Sequence, residues 1–300
     1  MDISRSVSAV AGVVTAPWFY VAGRVLSAPS LNKLALLADP QYMRALQKSG
    51  RPDHSGNHVL QFQIAAMLAL EATPDAAQRI KCMLGLSESQ RLQDIFCAIV
   101  CGEKREGFFV EVGVGSGRTI SNTYMLEKNY GWRGVLVEPN RSSHASIVAC
   151  REATLERRAA AAKGGQTLRF QEILDAGEYS RVVGSGGHAM PGARSAEYEV
   201  ETVALTDILD GMGAPAEIDF LSLDTEGSEL DILQGLDLQK YHFSVMAIEH
   251  NFDRRVQKKL NSILEPLGYR HVYPHISGFD AWYVHEDVSA PGFRLPQSRG

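Results

Sequence analysis

Hydrophobic positions are spaced in two ways along this 300-residue chain. Up to about residue 102 they recur at helical intervals, and residues 58–71, 74–85 and 87–102 each predict a helix. Pro74 suits a first helical position, and Ser87 an N-cap with Gln90 as capping-box partner. From Phe108 onward short apolar runs alternate with amphipathic stretches. Strands are predicted from Phe108 and over residues 133–138, 155–162, 219–224 and 244–249, with shorter ones at 168–172 and 198–203. Helices are predicted at 119–130 and 142–152, after Ser228 with Asp231 as its partner, and from Asp253, where Val256, Leu260, Ile263, Leu264 and Leu267 form one stripe. Residues 269–276 and 279–284 flank Ser277-Gly278, a two-residue hairpin signal. The pattern predicts an α/β fold: a Rossmann-like doubly wound sheet closed by a C-terminal antiparallel hairpin. Residues 1–102 form an arm and helical cap before it, and residues 103–300 the main domain.

Two segments stand outside this alternation. Residues 177–196 are rich in Gly, Ser and Ala, and predict a flexible loop placed where a lid would sit. Residues 1–57 read as an irregular leader punctuated by Pro29, Pro40 and Pro52. Residues 7–26 are apolar, but Gly12, Pro17, Gly23 and Arg24 interrupt them, and a spanning helix needs ~20 continuous apolar residues. The expectation is an arm that packs on the protein or on a second copy, giving a homo-oligomer, rather than a membrane anchor.

A net charge of −5 and a pI near 6 argue against a nucleic-acid partner. The four cysteines show no Cys-x-x-Cys spacing, which predicts reduced thiols in a cytoplasmic protein and no zinc site. His271 and His275, four apart in a predicted strand, lie too far from each other to share a metal. Asn140-Arg141-Ser142 fits a glycosylation pattern, but at a position where a glycan would block the site described next.

That site begins at the first strand. Glu111 is followed by Gly113, Gly115 and Gly117 at every second position. Glycine admits a ligand close to the backbone, but the spacing is not the Gly-x-Gly-x-x-Gly of dinucleotide sites. It suits S-adenosylmethionine (SAM), which has no pyrophosphate to seat. Glu138 ends the second strand, where a carboxylate accepts hydrogen bonds from ribose hydroxyls. The cofactor-binding set is therefore Glu111, Gly113, Gly115, Ser116, Gly117, Glu138, Pro139 and Asn140. Asp224, Glu226, Glu249 and His250 fall at later strand ends on the same rim, where ligands of such sheets sit.

The chain resembles the FkbM family of SAM-dependent methyltransferases. The resemblance rests on Val110 to Gly113 with its glycines, on Val137-Glu138-Pro139-Asn140, and above all on residues 218–229, IDFLSLDTEGSE, followed by Ile248-Glu249-His250-Asn251. It spans about residues 107–285. It departs at Ser222, where many members carry Lys, and at Glu111 and Val114, where many carry Asp and Asn. The family implies a Rossmann-like methyltransferase fold, SAM as cofactor and a hydroxyl oxygen on a small molecule or glycan as acceptor. Asp224, Glu226 and His250 are the candidates to take the hydroxyl proton. Asp224, Glu226 and Glu249 would alternatively hold Mg2+. Two other readings stay open: an NAD-dependent oxidoreductase, and a SAM-binding scaffold without turnover.

Overall fold

The computed structural model describes residues 57–186 and 192–296. The predicted arm lies outside them, except for its last residue. Three helices come first: α1 (Asn57–Glu71), α2 (Pro74–Leu84) and α3 (Gln93–Val100). Then β1 (Phe108–Val112), α4 (Tyr124–Tyr130), β2 (Arg133–Val137), α5 (His144–Cys150) and β3 (Thr154–Glu156) alternate. An added section holds β4 (Ala159–Ala161), β5 (Thr167–Ile173), β6 (Arg181–Val182) and β7 (Ser195–Ala204). The alternation resumes with α6 (Leu205–Met212), β8 (Glu217–Leu223), α7 (Glu229–Gln234), β9 (His242–Glu249) and α8 (Arg254–Leu264). β10 (Tyr269–Val272), α9 (Pro274–Ser277) and β11 (Asp280–His285) close it.

Seven strands form one sheet in the order β10-β11-β9-β8-β1-β2-β3. All pairs are parallel except those made by β11. Strand order reverses between β1 and β8, so the rim above their carboxyl ends is the expected ligand crevice. The α/β fold with a C-terminal antiparallel pair is the one the pattern predicts. β1, β8 and β9 are nearly continuous apolar runs because both faces are covered. The cap covers one face: Phe96 of α3 stacks on Trp282 of β11, ring centroids 4.5 Å apart. Among the described residues no helix is long and apolar enough to cross a membrane.

The structure corrects five local expectations. The third helix starts at Gln93, not Ser87, because the Ser87 and Ser89 hydroxyls both donate to Asp94 Oδ1, and Leu92 turns left-handed at φ 59°. The 155–162 run is split between two sheets: β3 pairs with β2, and β4 pairs with β7. The segment from Gly177 is not an open loop in its described parts. It makes a 3-10 turn (Gly177–Tyr179), then β6, which pairs with β5, and residues from Ser195 on belong to β7. Ser228 makes no side-chain cap to α7; Glu229 instead accepts from the Thr225 and Gly227 N–H groups. The last two strands are joined by the one-turn α9, not a two-residue hairpin. Pro274 opens that helix, and the Ile276 and Ser277 N–H groups return to the Tyr273 carbonyl.

Candidate active site

Two backbones touch at the strand-order reversal. The Asp224 N–H donates to the Val112 carbonyl at 2.9 Å, and the Gly113 N–H to the Val137 carbonyl at 3.0 Å. Gly113 has φ +83°, and a Cβ there would lie 1.6 Å from the Asp224 carbonyl oxygen. Only glycine lets the β1 turn lie against the end of β8.

Glu138 gathers that turn. Its Oε2 accepts from the Val114 and Gly115 N–H groups at 2.9 and 2.8 Å, and its Oε1 from the Asn140 N–H at 2.9 Å. Burial raises its pKa against the pull of these three N–H groups. A carboxylate offers about four acceptor positions, so one is left for a ligand. Beside it opens a cavity of about 740 Å³, counting its open mouth. Val112, Gly113, Gly115, Glu138, Pro139, Asp224 and Thr225 line it from the main sheet, and Ala159, Ala160, Phe170, Ser180 and Val182 from the added section. Asn122 also lines it. Its Nδ2 donates to Ser222 Oγ at 2.9 Å, while its buried Oδ1 has no partner.

Four residues of the sequence-derived cofactor set make their contacts elsewhere. Both Glu111 oxygens are taken by the Ser121 and Thr123 hydroxyls and the Asn122 N–H, and Arg151 lies 3.5 Å away. Glu111 thus holds the 121–123 segment that carries Asn122, and does not line the cavity. Gly117 packs on Ile147, and Ser116 Oγ accepts from the Thr119 N–H. Asn140 Oδ1 accepts from the Ser142 N–H and Nδ2 donates to Ser180 Oγ, which ties the β2 end to the added section.

Next to the cavity the acids converge. One carboxylate oxygen each from Asp224, Glu226 and Glu249 lie within 4.8 Å of one another. Burial, then mutual repulsion, drives Asp224 well above the usual carboxylate range and pushes Glu249 up to about 12. Asp280, opposite Glu249 in the β9–β11 register, is raised by burial to about 6, and Gln93 of the cap donates to its Oδ2 at 2.7 Å. The pairing of Glu249 with Asp280 follows from two antiparallel strands and was within reach of the sequence. Nothing in the sequence signals that Gln93 reaches it from the cap.

His250 follows Glu249. Its Nε2 lies 3.1 Å from the Asp280 carbonyl, so Nε2 carries the proton and Nδ1 the lone pair. Nδ1 is buried and unpartnered, and burial holds the imidazole below its ordinary pKa, hence neutral at pH 7.

The profile of the methyltransferase FkbM domain matches residues 111–271, more than half of the chain. No curated protein matches significantly. Among solved structures the chain is similar to a precorrin-6y C5,15-methyltransferase from Geobacter metallireducens GS-15, at 14% identity and a TM-score of 0.36, over 66% of this chain and 88% of that one.

Proposed function

Because this chain belongs to the FkbM methyltransferase family, we propose that its rim cavity binds SAM and that it methylates a hydroxyl oxygen. The observation that carries the cofactor reading is the pairing, in one cavity, of a buried carboxylate with a spare acceptor position and an orphaned amide oxygen. Glu138 suits a ribose hydroxyl, and Asn122 Oδ1 suits an ammonium, so the two fit an amino-acid nucleoside. The Gly113–Gly115 turn leaves room for its backbone-hugging part. When bound, SAM supplies a methyl group already activated by a sulfonium. An NAD-dependent reaction has no support in the family.

The chain's part is then to hold the acceptor and take its proton. A base must be unprotonated to act. Asp224 and Glu249 are held above the usual range by burial, which leaves them poor bases. His250 is neutral, with Nδ1 unpartnered, and is the favoured base.

Calorimetric titration with SAM and its demethylated product tests this. Glu138→Ala should weaken binding by ~2–3 kcal/mol, roughly 30- to 140-fold. An unchanged dissociation constant contradicts the assignment.

The mutual approach of Asp224, Glu226 and Glu249 favours a second reading of the chemistry. These three would hold a hard divalent cation such as Mg2+, whose role would be to acidify the acceptor hydroxyl. Methyl transfer should survive EDTA if His250 acts alone. If the cation takes part, it should fall by at least tenfold and return with added Mg2+.

A further inference from the structure

We infer that the rim cavity recognises the amino-acid end of its cofactor by the ammonium and leaves the carboxylate unread, with Asn122 as the residue that sets this preference. The inference rests on the SAM-binding reading above and adds which of the two charges at that end the protein holds.

The cavity wall offers nothing positive. Among the described residues no Lys, Arg or His lines it, while Glu138, Glu178 and Asp224 bring carboxyl groups. Backbone donors could replace a missing cation, but those at the strand-order reversal are spent inside the chain. The Gly113 N–H donates to the Val137 carbonyl, and the Val114 and Gly115 N–H groups both go to Glu138. The Asp224 N–H goes to the Val112 carbonyl, and the Thr225 N–H to Glu229 at 2.8 Å. The hydroxyls of Ser180 and Ser228 also lie on the wall, and they carry no charge. A ligand carboxylate buried here would meet carboxyl groups without a cation, which is costly. The arrangement therefore leaves it turned to solvent at the mouth.

An ammonium is served differently. Asn122 is held at both ends before a ligand arrives. Its N–H donates to Glu111 Oε1 at 2.7 Å and its Nδ2 to Ser222 Oγ at 2.9 Å. Glu111 and Ser222 stand opposite each other in the β1–β8 register, so two neighbouring strands grip one residue. Ser222 is thus a positioning residue: it takes the amide nitrogen and leaves Oδ1 over. That oxygen is buried and unpartnered on a residue of the cavity wall. An amide oxygen only accepts hydrogen bonds, and an ammonium only donates them. A bond between the two is charge-assisted, the stronger kind.

The test is calorimetric titration of the full chain with four probes. They are S-adenosylhomocysteine, its decarboxylated form, its deaminated form, and 5′-methylthioadenosine, which lacks the amino-acid end altogether. None carries the sulfonium, so the amino-acid end is compared by itself. Removing the amino group should cost at least roughly tenfold more affinity than removing the carboxylate. Any smaller difference overturns the inference, and so does the reverse order, which an Asn122 amide turned with Nδ2 to the ligand would give. In Asn122→Ala that preference should vanish, while 5′-methylthioadenosine binds within about twofold of its wild-type affinity. A preference kept in that variant also overturns the inference. If the variant fails to bind 5′-methylthioadenosine it has not folded, and the wild-type ranking decides alone. Failure of the wild type to bind all four probes would instead sink the SAM-binding reading itself.

Discussion

Replacing Gly113 by Ala should lower the stability of the protein by ~3 kcal/mol or more and abolish measurable cofactor binding. Two costs combine. A non-glycine residue at positive φ costs ~1–2 kcal/mol, and Gly113 sits at φ +83°. The new methyl would fall 1.6 Å from the Asp224 carbonyl oxygen, a backbone atom that cannot swing aside. Relieving such an overlap costs typically ~1–3 kcal/mol. The only escape is to part the β1 turn from the end of β8, which breaks the Asp224 N–H to Val112 bond and displaces two cavity walls at once. Gly115 is the control. It also has positive φ, at 56°, but nothing lies within 4 Å of its would-be Cβ. Gly115→Ala should therefore cost only the backbone strain of ~1–2 kcal/mol. Urea unfolding of both variants reads the difference. Equal losses would mean that the close approach at Gly113 is relieved at no cost.

Arg151→Ala should be as damaging, from outside the cavity. Its side chain is 0% exposed. It donates to Glu127 Oε2 at 2.7 Å, the Gly117 carbonyl at 3.0 Å, Ser121 Oγ at 3.1 Å and Thr123 Oγ1 at 2.7 Å. Removing one partner of a buried charge network costs ~3–5 kcal/mol, because the charges left behind stay buried. Here Glu111 and Glu127 would be left, and with them the segment that presents Asn122. The loss has a pH signature. In the wild type, burial raises Glu127, but Arg151 and its other partners outweigh this and hold it below its ordinary 4.5. That depressed group favours the folded state above about pH 4.5 and loses this advantage as pH falls further. In the variant Glu127 keeps only Lys128 as a neighbouring cation, so its pKa should rise relative to the wild type, and the advantage that Arg151 gave is lost. The raised acids of the active site titrate alike in both proteins and cancel in the comparison. The stability gap between variant and wild type should thus narrow as pH falls through the range where Glu127 is protonated in the variant but still ionised in the wild type. A gap constant with pH would mean that Arg151 acts by packing alone.

These two residues show how far the sequence carries. Gly113 was visible in it, since glycines after a buried run announce a tight turn, and Glu138 and the 224–229 block were visible for similar reasons. Arg151 was not. Its hydrogen bonds to Ser121 and Thr123 reach back 30 and 28 residues to a segment that looked helical but is an irregular loop before α4. Nor did the sequence show that the chain itself supplies partners to Glu111. A buried acid ending a strand needs partners, and the sequence does not say whether those are a ligand's or the chain's own. Side-chain hydrogen bonds also explain the late start of α3, since Ser87 and Ser89 turn to Asp94. The added sheet was only half legible. Its strands alternate weakly, and a two-residue strand such as β6 leaves almost no periodic trace.

The position of β11 has a bearing on anyone who would trim this protein. The stretch shared with relatives stops at residue 271, inside β10. Yet β10 joins the sheet only through β11, which begins at Asp280 and lies between it and β9. Ancestry and self-sufficiency have different borders here. A fragment cut to the shared stretch would leave β9 as a bare apolar edge, open to pairing with its own copies.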